Sequence, residues 1–174
     1  MDILGLHPPE TIQERTCNCI VKNECPLNGN CLSQNIIYQA TVSLTEPNLE
    51  PNFEPKIYIG STATTFKKRY SNHKKTFNHE KYEHESELSK EIWRLKHKNI
   101  TPKITWKIVN KCTPFNRTTL KCNLCLSEKL EIAIRNDKNM LNKKSELISK
   151  CRHINQHCMN YHDPARWRQI FEVK

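Results

Sequence analysis

Arg69 and His73 stand where a helix should carry apolar residues. In KIYIGSTATTFKKRYSNH, Lys56 to His73, an apolar strand ends in Tyr58-Ile59-Gly60, a small polar turn follows, and a basic helix begins. With a helix start near Thr65, residues Phe66, Arg69, Tyr70, His73 and Phe77 fall on one stripe, the stripe that faces the rest of the fold. Lys67, Lys68, Lys74 and Lys75 lie on the opposite, solvated side. A guanidinium keeps its charge and can grip two phosphate oxygens at once, and an imidazole can exchange a proton near neutrality. Turned inward beside the C-terminal end of a strand, the pair describes a site for a polyanion, because departures from binary patterning concentrate where function sits.

Nine cysteines are the second chemical signal. Cys17-x-Cys19-x5-Cys25-x5-Cys31 offers four thiolates in a short loop-rich segment, enough to close one tetrahedral Zn²⁺ and without the periodicity to fold unaided. Cys122-x2-Cys125 followed by Cys151-x-His153 makes a second set of Cys₃His composition, which requires the intervening chain to return on itself. Buried free thiols are the alternative for either set. Cys112 and Cys158 are left over as free thiols or substitute ligands. MDILGLHPPE at the N-terminus has no charged stretch followed by an apolar one, so no secretory signal is predicted and disulfides are not expected. The expected location is intracellular and reducing, nuclear or cytoplasmic.

The elements that must position these groups follow from pattern. Ile36 to Leu44 and Lys56 to Gly60 read as two strands of a hairpin, and Thr65 to Phe77 as the first core helix. The three prolines of EPNLEPNFEP predict an extended connection with a mobile tip. NHEKYEHE reads as a polar loop; Ser86 can N-cap a helix carrying Leu88, Ile92 and Leu95; Lys103 to Val109, with Ile104, Trp106 and Ile108 alternating, reads as a third strand. Leu126, Leu130 and Ile134 mark another helix and Asn142 to Lys150 one more. The expected fold is α+β: a small three-stranded, mainly antiparallel sheet flanked by helices, with zinc-binding appendages. Its expected division is a flexible leader (1–16), a Cys-rich zinc knuckle (17–34), a main domain (35–155) and a C-terminal tail (156–174). Lys and Arg total 28 against 18 Asp and Glu, a formal net charge of +10, which favours an acidic partner and nucleic acid over a membrane surface. No apolar run of about 18 residues is present to span a bilayer.

Tyr58-Ile59-Gly60 followed by Arg69 and His73, with Ile36-Ile37-Tyr38 on an earlier strand, resembles the GIY-YIG nucleases. CNLCLSEKLEI (Cys122 to Ile132), LNKKSEL (Leu141 to Leu147), CRH (Cys151 to His153) and CNC…CPLNGNC (Cys17 to Cys31) extend the likeness to the endonuclease domain of Penelope-like retroelements, over about residues 17 to 155. The first half-motif departs from the pattern: Ile36 stands in place of a glycine, while Tyr38 is kept.

The resemblance implies a metal-dependent DNA endonuclease that nicks DNA to provide a 3′ hydroxyl for target-primed reverse transcription. Its implied partners are DNA and a reverse transcriptase domain in the same or a larger polypeptide. It implies Glu128 as the single carboxylate on a catalytic Mg²⁺ or Mn²⁺, in keeping with an ion that retains much of its water; Glu131, one turn on, competes. Arg69 is implied as phosphate clamp and His73 as hydrogen-bond partner of the attacking water or the scissile phosphate. Tyr38 first and Tyr58 second are implied as base or water-positioner, although a phenol with a pKa of about 10 needs an activating neighbour to serve as a base. Asn142 is implied as an orienting group, the alternative being an N-cap for the segment after it. Two further readings stay open: a catalytically inactive zinc-containing nucleic-acid-binding module, and a zinc-knuckle adaptor for protein interaction.

Overall fold

Ile36 to Val42 is buried almost without interruption, as a strand covered on both faces must be, and it forms the centre of the sheet. The computed structural model describes residues 15–46, 50, 52–135, 138–151 and 153. In it β1 (Ile36–Leu44) lies between β2 (Lys56–Thr62) and β3 (Pro102–Lys111), antiparallel to both. α1 (Phe66–Asn78) and α2 (Glu87–His97) cover one face, and α3 (Asn123–Ile134) the other. This is the α+β arrangement that the patterning predicts.

Alternation along the strands sorts the core into two halves. Ile36, Tyr38, Ala40 and Val42 pack with Phe66, Phe77, Leu88, Ile92 and Leu95, whereas Ile37 and Ile59 meet Leu124 and Ile132 of α3. Tyr38 pairs with Gly60 and Ala40 with Tyr58, so both tyrosines rise from the same face. A β-carbon on Gly60 would lie 2.5 Å from the Tyr38 hydroxyl oxygen, so the phenol crosses β2 through the space that glycine leaves. The two helices on this face start where the caps predict: the Thr65 side chain accepts from Lys68 N–H and that of Ser86 from Ser89 N–H. No described helix is long and apolar enough to cross a membrane.

Four expectations need correction. The polar stretch after α1 is a 3₁₀ helix, Glu80–Glu85, too short and polar to show a period. The segment from Asn142 forms only a 3₁₀ turn, Lys144–Ile148, because the Asn142 side chain is committed to the edge of β2. α3 exists, but the apolar period that marks it faces outward: Leu126, Leu130 and Ile134 are 68, 55 and 70% exposed. The sheet-facing stripe is Leu124, Glu128 and Ile132, and this rotation brings Cys122 and Cys125 to Cys151 and His153.

The fourth correction concerns the N-terminal knuckle, which is no appendage. Leu27 is buried in the main core with Ile36, Tyr38 and Phe66. The knuckle's backbone caps α1: Phe66 N–H donates to the Ser33 carbonyl at 2.9 Å and Lys67 N–H to the Cys31 carbonyl at 2.7 Å. Residues 1–14 of the leader, the tail from 156 with Cys158, and residues 47–49 and 51 of the hairpin connection lie outside the described residues.

Candidate active site

Tyr38 is fully buried, and two α1 side chains converge on its hydroxyl. Arg69 Nε donates to the oxygen at 2.9 Å, and His73 Nε2 lies 2.8 Å from it. The spacing of four residues along one helix puts both groups over the same point. Burial first, and the Arg69 charge second, push the His73 pKa down to about 3, so the ring is neutral near pH 7. With Arg69 donating to the phenol oxygen, we assign the Tyr38 O–H as donor to an unprotonated Nε2. His73 is therefore engaged by Tyr38 and 3% exposed, which differs from the expected contact with water or phosphate. Phe66 and Trp106 close around the Tyr38 ring at centroid distances of 5.2 and 5.8 Å.

Tyr58 sits beside this cluster, its ring centroid 6.2 Å from that of His73. Burial raises its pKa well above the ordinary phenol range, and Tyr38, Glu146 and Glu128 add to the rise while Arg69 opposes it. Burial works against the Arg69 charge, but Tyr38, Tyr58 and Glu128 more than offset it and leave the guanidinium pKa raised. Glu128 is thus within electrostatic reach of both Tyr58 and Arg69. Glu131 is committed elsewhere: it accepts from Arg135 Nε at 3.1 Å, and Arg135 Nη1 reaches Gln39 Oε1 at 2.7 Å.

Asn142 pairs with β2 as a strand would. Its Oδ1 accepts from Ile59 N–H at 2.7 Å and its Nδ2 donates to Ile59 O at 2.8 Å, directly after Tyr58. Asn139 and Leu141 pair with Ile57 alongside, so the outer edge of β2 is covered. The N-cap of the following 3₁₀ turn is Lys143, not Asn142. Glu146, absent from the expected set, completes the group: Oε2 accepts from Asn142 Nδ2 and Oε1 from Lys143 N–H, each at 3.0 Å. Its one signal in the sequence is a carboxylate four residues after Asn142, in a chain with many glutamates.

Both cysteine sets are assembled. Zn–S bonds of about 2.3 Å in a tetrahedron put sulfurs about 3.8 Å apart, and Cys31 Sγ lies 3.5 Å from Cys17 Sγ and 3.6 Å from Cys19 Sγ. The ligand atoms of Cys17, Cys19, Cys25 and Cys31 all fall within 4.8 Å of one another, as do those of Cys122, Cys125, Cys151 and His153. In the second set His153 Nδ1 is 3.3 Å from both Cys122 Sγ and Cys125 Sγ. Each set could hold a zinc ion. Burial raises the Cys25 thiol, yet the backbone at Leu27 and Gly29 hydrogen-bonds its sulfur and brings it down to about 6, which favours the thiolate that binds metal. Cys112 is packed with the α3 core cluster and belongs to neither set.

Comparison of the chain with family models, with curated proteins and with solved structures returns no match.

Proposed function

We propose that this chain is a metal-dependent DNA endonuclease of the GIY-YIG type, akin to the endonuclease domain of Penelope-like retroelements, which cuts a phosphodiester to leave a 3′ hydroxyl. The observation that carries it is convergence. Tyr38, Tyr58, Arg69, His73, Glu128 and Asn142 come from β1, β2, α1, α3 and the strip along the β2 edge, and they form one continuous cluster of hydrogen bonds and charges.

Hydrolysis of a phosphodiester needs an aligned water, neutral surroundings for the phosphoryl oxygens and a stabilised leaving oxygen. Arg69 spends Nε on Tyr38, and its two Nη groups are what a planar guanidinium offers to phosphoryl oxygens. The Tyr38 oxygen, donating to His73 and accepting from Arg69, fixes the guanidinium beside the place where the attacking water must stand. As the attacking water's oxygen bonds to phosphorus and the P–O3′ bond breaks, the water's proton leaves to solvent and O3′ takes one from solvent; His73, held neutral beside Arg69, is too weak a base to keep it. Tyr58, with its raised pKa, stays protonated and serves as a donor rather than the base.

Glu128 is the residue to hold a divalent cation, because it occupies the sheet-facing stripe of α3 between Leu124 and Ile132, where packing alone calls for an apolar side chain. Held there by Glu128, such an ion would supply charge neutralisation at the phosphoryl group and the leaving oxygen. DNA is the substrate, and a reverse transcriptase domain is the partner this reading carries.

The test is nicking of supercoiled plasmid by the purified chain with Mg²⁺. Wild type should nick; Glu128→Gln should abolish nicking while duplex affinity stays within a few-fold, since basic residues make the phosphate grip. Near-wild-type nicking by Glu128→Gln would remove Glu128 from the metal role. Salt-dependent DNA binding without any nicking would favour an inactive nucleic-acid-binding module.

A further inference from the structure

A cleft of about 270 Å³ opens beside the candidate site, between α1 and the 3₁₀ helix Glu80–Glu85. Arg69, Asn72, His73 and Lys75 line it from α1, Tyr82 and Glu85 from the opposite side. It therefore shares Arg69 with the cluster around Tyr38 and extends away from it. At this size it admits a phosphate with part of its sugar, and is smaller than the clefts that enclose whole ligands, about 300 Å³ and upward.

The charge on its outer side has no structural purpose evident in the fold. Lys75 Nζ lies 4.9 Å from the Tyr82 ring centroid and Lys81 Nζ 5.0 Å, so two ammonium groups crowd one half-buried tyrosine. Their charges hold the Tyr82 pKa below the ordinary phenol value. Glu80 is turned to His97, 3.0 Å from its Nε2, and in the cleft Glu85 is outnumbered by Arg69 and Lys75, with Lys81 beside them on the Tyr82 ring. Like charges gathered on a hydroxyl donor beside a second cation make a concentrated positive potential of the kind that suits an anion.

We infer that this cleft is a second phosphate subsite, in which Lys75, Lys81 and the Tyr82 hydroxyl hold the phosphodiester next to the one gripped by Arg69 on the same strand. The inference rests on the endonuclease reading for its substrate. Its contacts go to backbone oxygens, so the subsite fixes the strand's register and reads no sequence. It also separates lysines that the helix pattern groups together: Lys75 lines the cleft, whereas Lys74 lies over the Tyr70 ring beside a different groove.

The experiment is calorimetric titration of the full, zinc-loaded chain with thymidine 3′,5′-bisphosphate and with thymidine 5′-monophosphate, without added Mg²⁺. In wild type the bisphosphate should bind about tenfold more tightly than the monophosphate, the gain expected of one extra charge-assisted phosphate contact. Lys75→Ala/Lys81→Ala and Tyr82→Ala should close that gap, and Lys74→Ala should leave it. Absence of a gap in wild type, or an equal loss in Lys74→Ala, overturns the subsite. Plasmid nicking by the same proteins separates this inference from the one beneath it. Nicking by wild type with an unchanged gap in Lys75→Ala/Lys81→Ala discards the subsite alone; a gap that closes in a protein that never nicks supports phosphate recognition here and discards the nuclease.

Discussion

The two cysteine sets each hold the start of a helix that carries site residues, and they hold it by different means. The first lies beside α1 and joins it through backbone and core: the Cys31 and Ser33 carbonyls accept the first α1 N–H groups, and Leu27 enters the cluster of Ile36, Tyr38 and Phe66. The second is part of α3 itself. Cys122 is the N-cap, its sulfur accepting from Cys125 N–H, and Cys151 and His153 are brought to it from the far end of the described chain. His153 also stacks on Phe115, their ring centroids 6.5 Å apart. Zinc at the first set would reinforce a segment that the core already holds, and zinc at the second would tie Cys151 and His153 to the start of α3. The first governs Arg69 and His73; the second governs the rotation of Glu128.

The most severe test of this difference is removal of one ligand from each set. Purified protein should carry two zinc ions, and Cys31→Ser and Cys125→Ser should each remove one. Cys31 is fully buried, so a serine there removes a metal ligand and leaves a hydroxyl in the core, which should lower the melting temperature by more than 10 °C, the scale of several kcal/mol in a chain of this size, while the backbone cap on α1 is kept. Cys125→Ser should melt closer to wild type and lose nicking all the same, because Glu128 is no longer held. Elemental analysis with thermal melts reads both, and a larger melting shift in Cys125→Ser would invert the comparison.

A milder test leaves both zinc sets intact. Leu27→Ala should cost about 2–4 kcal/mol with two zinc ions still bound, since it empties a core position. Phe115→Ala, at the half-exposed second set, should cost under about 1 kcal/mol. Equal losses in chemical denaturation would mean that the first knuckle is held by its metal as well.

How far the sequence discloses this arrangement depends on whether a residue's role is local. β1, β2 and the inward turn of Arg69 and His73 are legible because strand and helix periods are local, and the cysteine spacing is a local signature of a metal set. α3 is misread in orientation because two apolar sets compete on it, Leu126-Leu130-Ile134 and Leu124-Ile132, and the smaller one wins once the cysteines fix the rotation. The docking of the knuckle is made by carbonyl groups, which every residue has, so no side chain announces it. The sequence offers Asn142 as an orienting residue, but its grip on the Ile59 backbone is a tertiary fact, and Glu146 is set apart from the other glutamates only by that grip.

Acid should probe the α1 side before the α3 side. The unfolded chain binds a proton on His73 near the ordinary value of 6.5, whereas the native chain does so only near 3. Between those values protons favour the unfolded state, so this contribution to stability is complete above about pH 6.5 and is lost as pH falls toward 3. Between about pH 6 and pH 5 wild type should lose up to about 1.4 kcal/mol per pH unit more than His73→Asn. Urea denaturation at each pH, with zinc content measured in parallel, gives the two slopes; parallel slopes would show that His73 is not held neutral beside Arg69.

The smallest effect belongs to the side-chain strut between the first knuckle and α1. Lys67 Nζ donates to Asn18 Oδ1 at 2.7 Å, at an exposed position. A hydrogen bond to a charged donor in water contributes little, so Lys67→Ala and Asn18→Ala should each cost about 0.5–1 kcal/mol, and the double variant should cost less than their sum. Since the strut crosses from knuckle to helix, its coupling should weaken when Cys31→Ser has loosened the knuckle, and it should persist in Cys125→Ser. That contrast is the most specific form of the comparison. Coupling of equal size in both cysteine variants would mean that the knuckle stays on α1 without its metal, and that backbone capping and Leu27 alone keep Arg69 in place.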